Sequence, residues 1–279
     1  MCLRHSPKAI DCSGIIQPRC AQTSPVSSSG SSSSPVRGTD TYNSEDRLTR
    51  RIGNDGAQVE IVYNGDGHKV QETVTRNGLS TVTSYLVDEL NPTGHAQVIE
   101  EYTNGTLTRV YTYGHQLLSQ DQLLSSGDWN VSFYGYDGHG SIRFLTDTAG
   151  SVTDRYDYDA YGTLLSIQGS TPNLYLYAGE AFDSELGLYN LRARLMNPLT
   201  GRFWNADTYE GQGSDPQSLH KYNYTYNDPV NQRDPSGHAP TSLVELSFEM
   251  WKLNDVGRLL HENRGNKQAI LDIAQNFTG

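Results

Sequence analysis

The sequence predicts a mainly β fold, a run of antiparallel hairpins that add edge to edge into one long sheet. Composition is the first indication: the 279 residues include 18 Tyr and 27 Gly, with only 35% hydrophobic. A tyrosine ring buries a large area while its hydroxyl stays near water or a partner, which suits half-exposed sheets. Abundant glycine suits repeated tight turns. The second indication is a degenerate word, Tyr-Asp/Asn-x-x-Gly, found at Tyr63–Gly67, Tyr136–Gly140 and Tyr158–Gly162. The last two copies begin 22 positions apart, Tyr42-Asn43 stands 21 before Tyr63, and Tyr85 stands 22 after it. A period of this size marks one supersecondary unit repeated, here a strand, a glycine-rich turn and a return strand. The third indication is alternation. Val152, Asp154, Tyr156 and Tyr158 share one strand face, as do Val70, Glu72 and Val74, and Tyr222, Tyr224 and Tyr226 read as a further strand.

The elements follow in order. Residues 1–41 include the run Ser27–Pro35, which cannot bury enough apolar surface to offset its ordering entropy. They are expected to form a flexible segment without regular structure. Residues 42–165 hold the repeats, punctuated by turns at Asn54-Asp55-Gly56, Asn77-Gly78, Asn104-Gly105 and Ala149-Gly150. One hairpin alone is marginal, so neighbours must extend a common sheet. Residues 166–238 form a separate segment with its own vocabulary. In residues 239–279, Leu243, Leu246, Met250, Leu253, Val256 and Leu260 recur at three- and four-residue intervals. That spacing predicts an amphipathic helix over 242–260 packed on its own domain. A second helical stretch is expected over 266–276, with Ile270, Ile273 and Phe277 on one side. This tail is too short for most enzymes and shows no catalytic motif.

The words of the third segment are specific. Gly187-Leu188-Tyr189-Asn190-Leu191-Arg192-Ala193-Arg194 is followed by Gly201-Arg202-Phe203, then by Tyr222–Pro229, and closes with Asp234-Pro235-Ser236-Gly237. Several such words in order discriminate far better than any one alone. From Tyr42 to His238, and most strongly from Tyr136 onward, the chain resembles RHS/YD-repeat proteins and their repeat-associated core segment. That family includes bacterial polymorphic toxins, shell subunits of insecticidal toxin complexes and, more distantly, teneurins. The resemblance implies a spiralling sheet at the end of a hollow cocoon, plugged by a core segment able to cut its own chain. The repeats here are too few to enclose much, so the chain reads as the end of a longer shell or an orphaned fragment.

The resemblance also assigns roles. Asp207 and Asp234 correspond to the carboxylates implicated in self-cleavage, Arg194 to a supporting arginine, and His238–Ala239 to the scissile bond. Two close carboxylates cannot both ionise cheaply, so one keeps a proton as acid while the other activates water. A guanidinium can hold one of them charged. Read from the residues alone, Asp234-Pro235-Ser236-Gly237 is equally a good turn sequence, and Arg194 equally a structural ion-pair partner. The chain departs from the family pattern at His238, where leucine is common, and at Thr208, where proline is frequent.

The net charge of −11 argues against a polyanion partner, since nucleic-acid binding needs a concentrated cationic face and only Arg47, Arg50 and Arg51 cluster. Cys2, Cys12 and Cys20 lie in the opening segment without metal-ligand spacing, and the histidines are scattered. Neither metal nor cofactor is expected. No apolar run approaches the roughly 18 residues of a spanning helix, and Lys8 and Asp11 interrupt the place where a signal sequence would be apolar. Two functions are therefore weighed. One is the shell or plug segment of a bacterial toxin or contact-dependent competition protein, secreted or at the cell surface. It would encapsulate or present a C-terminal payload and release it by aspartyl self-cleavage. Its partners would be its own tail or payload, an immunity protein or a secretion-system component. The other is a non-catalytic cell-surface β-repeat module for adhesion or carbohydrate binding.

Overall fold

Twelve strands follow one another in a computed structural model that describes residues 38–91 and 93–243. They are β1 (Thr39–Tyr42), β2 (Leu48–Ile52), β3 (Gln58–Tyr63), β4 (Lys69–Arg76), β5 (Leu79–Asp88) and β6 (Gln97–Thr103). The series continues with β7 (Thr106–Tyr113), β8 (Leu117–Leu123), β9 (Trp129–Tyr136), β10 (Ile142–Thr146), β11 (Val152–Tyr158) and β12 (Leu164–Gln168). Each pairs antiparallel with the next, so spatial order equals chain order. The mainly β fold expected from the repeats is thus present, as an open sheet with β1 and β12 at its edges. Strand β1 begins at Thr39, inside the stretch expected to lack regular structure. Asp40 explains this, because its carboxylate takes a two-pronged bond from Arg51 at 2.7 and 2.8 Å.

The repeat word has a physical content. The side-chain Oδ1 of Asn43, Asn64, Asp137 and Asp159 accepts backbone N–H groups two and four residues on, at 2.8–3.1 Å. The fifth residue of the word must then turn left-handed: Gly67, Gly140 and Gly162 each have φ +88°. Glycine meets that demand without strain. In Tyr63 and Tyr158 the ring is aimed inward by a one-residue register shift just before the tyrosine, the bend a β-bulge supplies. Tyr63 and Tyr158 donate their hydroxyls to the Leu48 and Ile142 carbonyls at 2.8 and 2.9 Å. Asp147 builds the same turn, accepting from Ala149 and Ser151 at 2.9 Å, although Thr146 stands where the word has tyrosine.

A second, four-stranded antiparallel sheet comprises β13 (Ala181–Asp183), β14 (Leu188–Leu191), β15 (Arg194–Asn197) and β16 (Arg202–Phe203). It packs on the long sheet through two cores. Leu186, Leu188 and Leu195 meet Leu48, Val59 and Ile61 near the start of the long sheet. Tyr189, Leu191, Met196 and Phe203 join Tyr111, Leu117, Ile142, Leu145 and Tyr156 farther along, with Tyr175, Tyr177 and Tyr224 between. Buried phenols find acceptors, as buried polar groups must: Tyr177 donates to the Ala160 carbonyl at 2.8 Å and Tyr189 to the Gly162 carbonyl at 2.9 Å.

Polar links cross between the sheets as well. Lys69 bonds Glu72 at 2.6 Å and Asp183 at 3.0 Å. Arg51 adds a bond to the Leu186 carbonyl at 3.1 Å and stacks 4.5 Å from the Trp204 ring, whose Nε1 donates to Asp40 at 2.8 Å.

The strand expected at Tyr222–Tyr226 is absent. Thr225, Tyr226 and Asn227 take φ of +49°, +52° and +63°, so the backbone coils and Tyr224 alone of the three rings is fully buried. A short pair, β17 (Gln232–Arg233) and β18 (Thr241–Ser242), follows. Ser242, the first residue of the expected helix, is therefore in a strand. The remainder of both expected tail helices, from residue 244 on, lies outside the described residues. Among those described, no helix is long and apolar enough to cross a membrane.

Candidate functional site

The sharp word at the centre of the site is the reversal between β14 and β15. Leu191 pairs with Arg194, leaving Arg192 and Ala193 as its tip. Arg192 has φ +59°, its guanidinium bonds Glu180 at 3.0 and 3.1 Å, and it also donates to the Pro235 carbonyl. The Ala193 N–H reaches the Ser236 carbonyl at 3.4 Å. The hairpin tip thereby carries the turn Asp234–Gly237. Gly237 is required there: its φ is +76°, and a Cβ would meet the Leu191 carbonyl oxygen at 2.2 Å.

Arg194 opens β15 and is almost fully buried, with 4% exposure. Its guanidinium lies 3.5 Å from the Phe203 ring centroid and donates to the Gly237 carbonyl and, at 3.2 Å, to that of Lys221. Its Nη2 faces both aspartates, Asp207 Oδ2 at 2.9 Å and Asp234 Oδ2 at 3.5 Å. Asp207 arrives from the irregular segment after β16, held because its N–H donates to Lys221 O at 2.9 Å while Phe203 N–H donates to Tyr222 O at 2.9 Å. Asp234 arrives from the turn, where its Oδ1 accepts from Ser236 Oγ at 3.0 Å, Gly237 N at 2.8 Å and His238 N at 3.1 Å.

All three charged residues singled out in the sequence thus meet on one nitrogen, and His238, before the proposed point of cleavage, bonds both aspartates. His238 Nδ1 lies 3.1 Å from Asp207 Oδ1. The Ala239 N–H points at Ser236 Oγ, 3.3 Å away. Burial pushes the Asp234 carboxyl up from its ordinary value, and Arg194 with the three donors only partly offsets it. Burial likewise pulls the Arg194 guanidinium down against the pull of Asp207 and Asp234. The arrangement holds a carboxyl able to keep a proton beside an ion-paired carboxylate, the asymmetry acid–base work needs. A cavity of about 440 Å³ opens alongside, its wall including Arg192, Arg194, Ser236 and His238.

Sequence reasoning did not single out Ser236, Lys221 or the Arg192–Glu180 pair. Ser236 occupies the variable place of Asp-Pro-x-Gly, so its hydroxyl was the available signal. Lys221 acts through its backbone carbonyl, which no side-chain pattern announces. The arginines of the basic cluster have acidic or amide partners: Arg47 bonds Glu45 at 2.7 Å, Arg50 bonds Gln58 at 2.5 Å and Arg51 bonds Asp40. Among the described residues no three His, Cys, Asp or Glu side chains gather as a metal-ligand set.

No family model matches the chain. It is 32% identical over 257 residues to the tRNA(Glu)-specific nuclease WapA of Bacillus subtilis subsp. natto, covering 90% of this chain and 10% of that protein. It is 33% identical over 224 residues to the tRNA nuclease WapA of Bacillus subtilis strain 168, covering 78% of this chain and 9% of the other. Salivary gland surface protein 1 of Aedes aegypti is 40% identical over 220 residues, covering 71% of this chain and 6% of that protein. The chain therefore spans about a tenth or less of each of these three relatives. Among solved structures, TcdB2-TccC3 aligns with a TM-score of 0.57 at 18% identity, over 72% of this chain and 10% of that one. The Photorhabdus luminescens Tc holotoxin pore bearing a TccC3 mutation aligns with a TM-score of 0.57 at 19% identity, over 73% and 10%. The WapA nucleases are homologues, and the fold is one found within a Tc toxin component.

Proposed function

We propose that this chain is an RHS repeat-associated core segment, the shell and plug of a toxin, which holds its own C-terminal tail and cuts the chain between His238 and Ala239. One observation carries the reading. Asp207 and Asp234, 27 positions apart, converge on Arg194 Nη2 directly beside the backbone of His238 and Ala239. Homology to the WapA nucleases and a fold shared with a part of the Tc holotoxin support the setting. In this reading residues 42–165 are shell repeats, 166–238 the plug, and 239–279 the released tail.

The division of labour follows from the environments. Asp234, whose carboxyl burial favours in the neutral form, is the acid. Asp207, in its ion pair with Arg194, takes the proton from the attacking water. The new carboxyl end stays bound after the cut, since His238 is anchored by its N–H and its ring. The tail or payload as occupant, an immunity protein or secretion-system component as partner, and export to the cell surface or medium belong to the same proposal.

Intact mass after prolonged incubation tests it. Wild type should yield a species ending at His238, whereas Asp207→Asn and Asp234→Asn should stay whole, because an amide cannot trade the proton a carboxylate can. Equal cutting in all three would assign the cut to a contaminating protease. No cutting in wild type, even with His238→Leu, would leave the adhesion module as the better reading.

A further inference from the structure

We infer that Ser236 is a catalytic residue of this self-cleavage, a hydroxyl relay that carries the proton of Asp234 to the departing nitrogen of Ala239. The inference rests on the reading above and adds the route by which the leaving group is protonated. An amide cannot leave as an anion at ordinary pH, so the cut needs a donor within reach of the scissile nitrogen.

Asp234 Oδ1 takes the His238 N–H; the side chain on Ala239 N is that of Ser236. Its Oγ lies 3.3 Å from Ala239 N, 3.1 Å from His238 N and 3.0 Å from Asp234 Oδ1. A serine hydroxyl has one donor and two acceptor sites, and all three are engaged here: it donates to Asp234 Oδ1 and accepts the N–H groups of His238 and Ala239. The turn makes this possible. Gly237 reverses left-handed against the Leu191 carbonyl, folding Ala239 back over the residue three before it.

The steps balance. Solvent water adds to the His238 carbonyl carbon and gives a proton to the Asp207 carboxylate. The carbonyl carbon becomes tetrahedral and the Ala239 nitrogen becomes an amine with a free lone pair. Ser236 Oγ–H passes its proton to that lone pair while Asp234 passes its own to Ser236 Oγ, reversing the bond now drawn between them. The carbon–nitrogen bond then breaks. The products are a carboxyl terminus at His238 and an amine at Ala239, with one water consumed. Asp207 is left protonated and Asp234 ionised, and exchange with solvent restores both.

The test measures cleavage rate by intact mass in wild type, Ser236→Ala, Ser236→Thr and Asp234→Asn, each with its melting temperature. Ser236→Ala should cut at least tenfold more slowly, Ser236→Thr should recover most of the rate, and added imidazole buffer should speed Ser236→Ala while leaving wild type unchanged. A small buffer acid replaces a missing proton donor but does not rebuild a turn, so this rescue separates relay from scaffold. Ser236→Ala cutting at the wild-type rate while Asp234→Asn is inert would overturn the relay and leave the carboxylate pair standing. A slow Ser236→Ala that melts well below wild type and gains nothing from imidazole would also overturn it. An uncut wild type would overturn both readings together.

Discussion

Arg194 illustrates how one side chain can be indispensable for a reason other than attraction. Its buried guanidinium faces two carboxylates and two carbonyls, so truncation strands charges that water cannot reach. Arg194→Ala should therefore lower stability by about 3–5 kcal/mol, the cost of leaving a buried ion without its partner, read as a shift in the urea midpoint. Gly237 fails differently. With φ +76° and a 2.2 Å approach to Leu191 O, Gly237→Ala must either strain the turn or move it off the hairpin. A loss of about 1–3 kcal/mol is expected from the backbone alone, with cleavage abolished because Ala239 no longer sits over Ser236. A Gly237→Ala protein as stable as wild type would show that the turn is not pinned against β14.

At the scale of the element, the hairpin turn explains what could be read in advance. Tyr63, Tyr136 and Tyr158 announce their turns because the word combines an inward ring, a side-chain acceptor and a left-handed glycine, each a local demand of the chain. Asp147 escaped that reading because Thr146 replaces the ring, although its carboxylate makes both turn bonds. The acceptor is thus the structural part of the word and the ring the packing part. Asp159→Ala, which deletes the acceptor for Tyr161 N and Thr163 N at an exposed position, should cost about 0.5–1.5 kcal/mol, and Asp159→Asn much less, by urea titration. Tyr222, Tyr224 and Tyr226 misled in the opposite sense. Alternating aromatics mimic a strand, but Thr225, Tyr226 and Asn227 turn left-handed, and that choice is made by burial of Tyr224 against Phe203. The site itself was legible as residue types, not as a place. Asp207 meets Asp234 only because β16 and the Lys221 segment carry one to the hairpin that carries the other.

For the whole molecule, the ion pairs between the sheets set opposing responses to pH. Burial pushes Glu72 from 4.5 up to about 7, with Lys69 offsetting only part, while Lys69 holds the neighbouring Asp183 carboxyl low against its own burial. A raised carboxyl means that the folded state holds the proton more tightly than the unfolded chain. Its contribution is fully present below pH 4.5 and is lost as pH rises through about 7. Asp40 has the other sign. Burial raises it, but the bonds from Arg51 and Trp204 outweigh that, so its contribution is present above the ordinary 3.8 and lost as pH falls through the lowered value. Stability should therefore peak in mildly acidic solution. Urea midpoints from pH 3 to 9 check this, and Glu72→Gln should flatten the decline between pH 5 and 8. A midpoint still rising at pH 8 in wild type would contradict the assignment of Glu72.

Strand order has a consequence for synthesis. Because β1–β12 pair strictly in sequence, a chain leaving the ribosome can zip each strand onto the last, closing only short loops. Leu48, Val59 and Ile61, however, wait for Leu186, Leu188 and Leu195, well over a hundred residues later. Throughout that interval the nascent sheet shows water an oily stripe, and a ribosome stalled before residue 186 would display it indefinitely. The second sheet is in this sense a keystone, set last and holding the oldest strands. Among the described residues, the apolar side chains that pack with it all lie before residue 239.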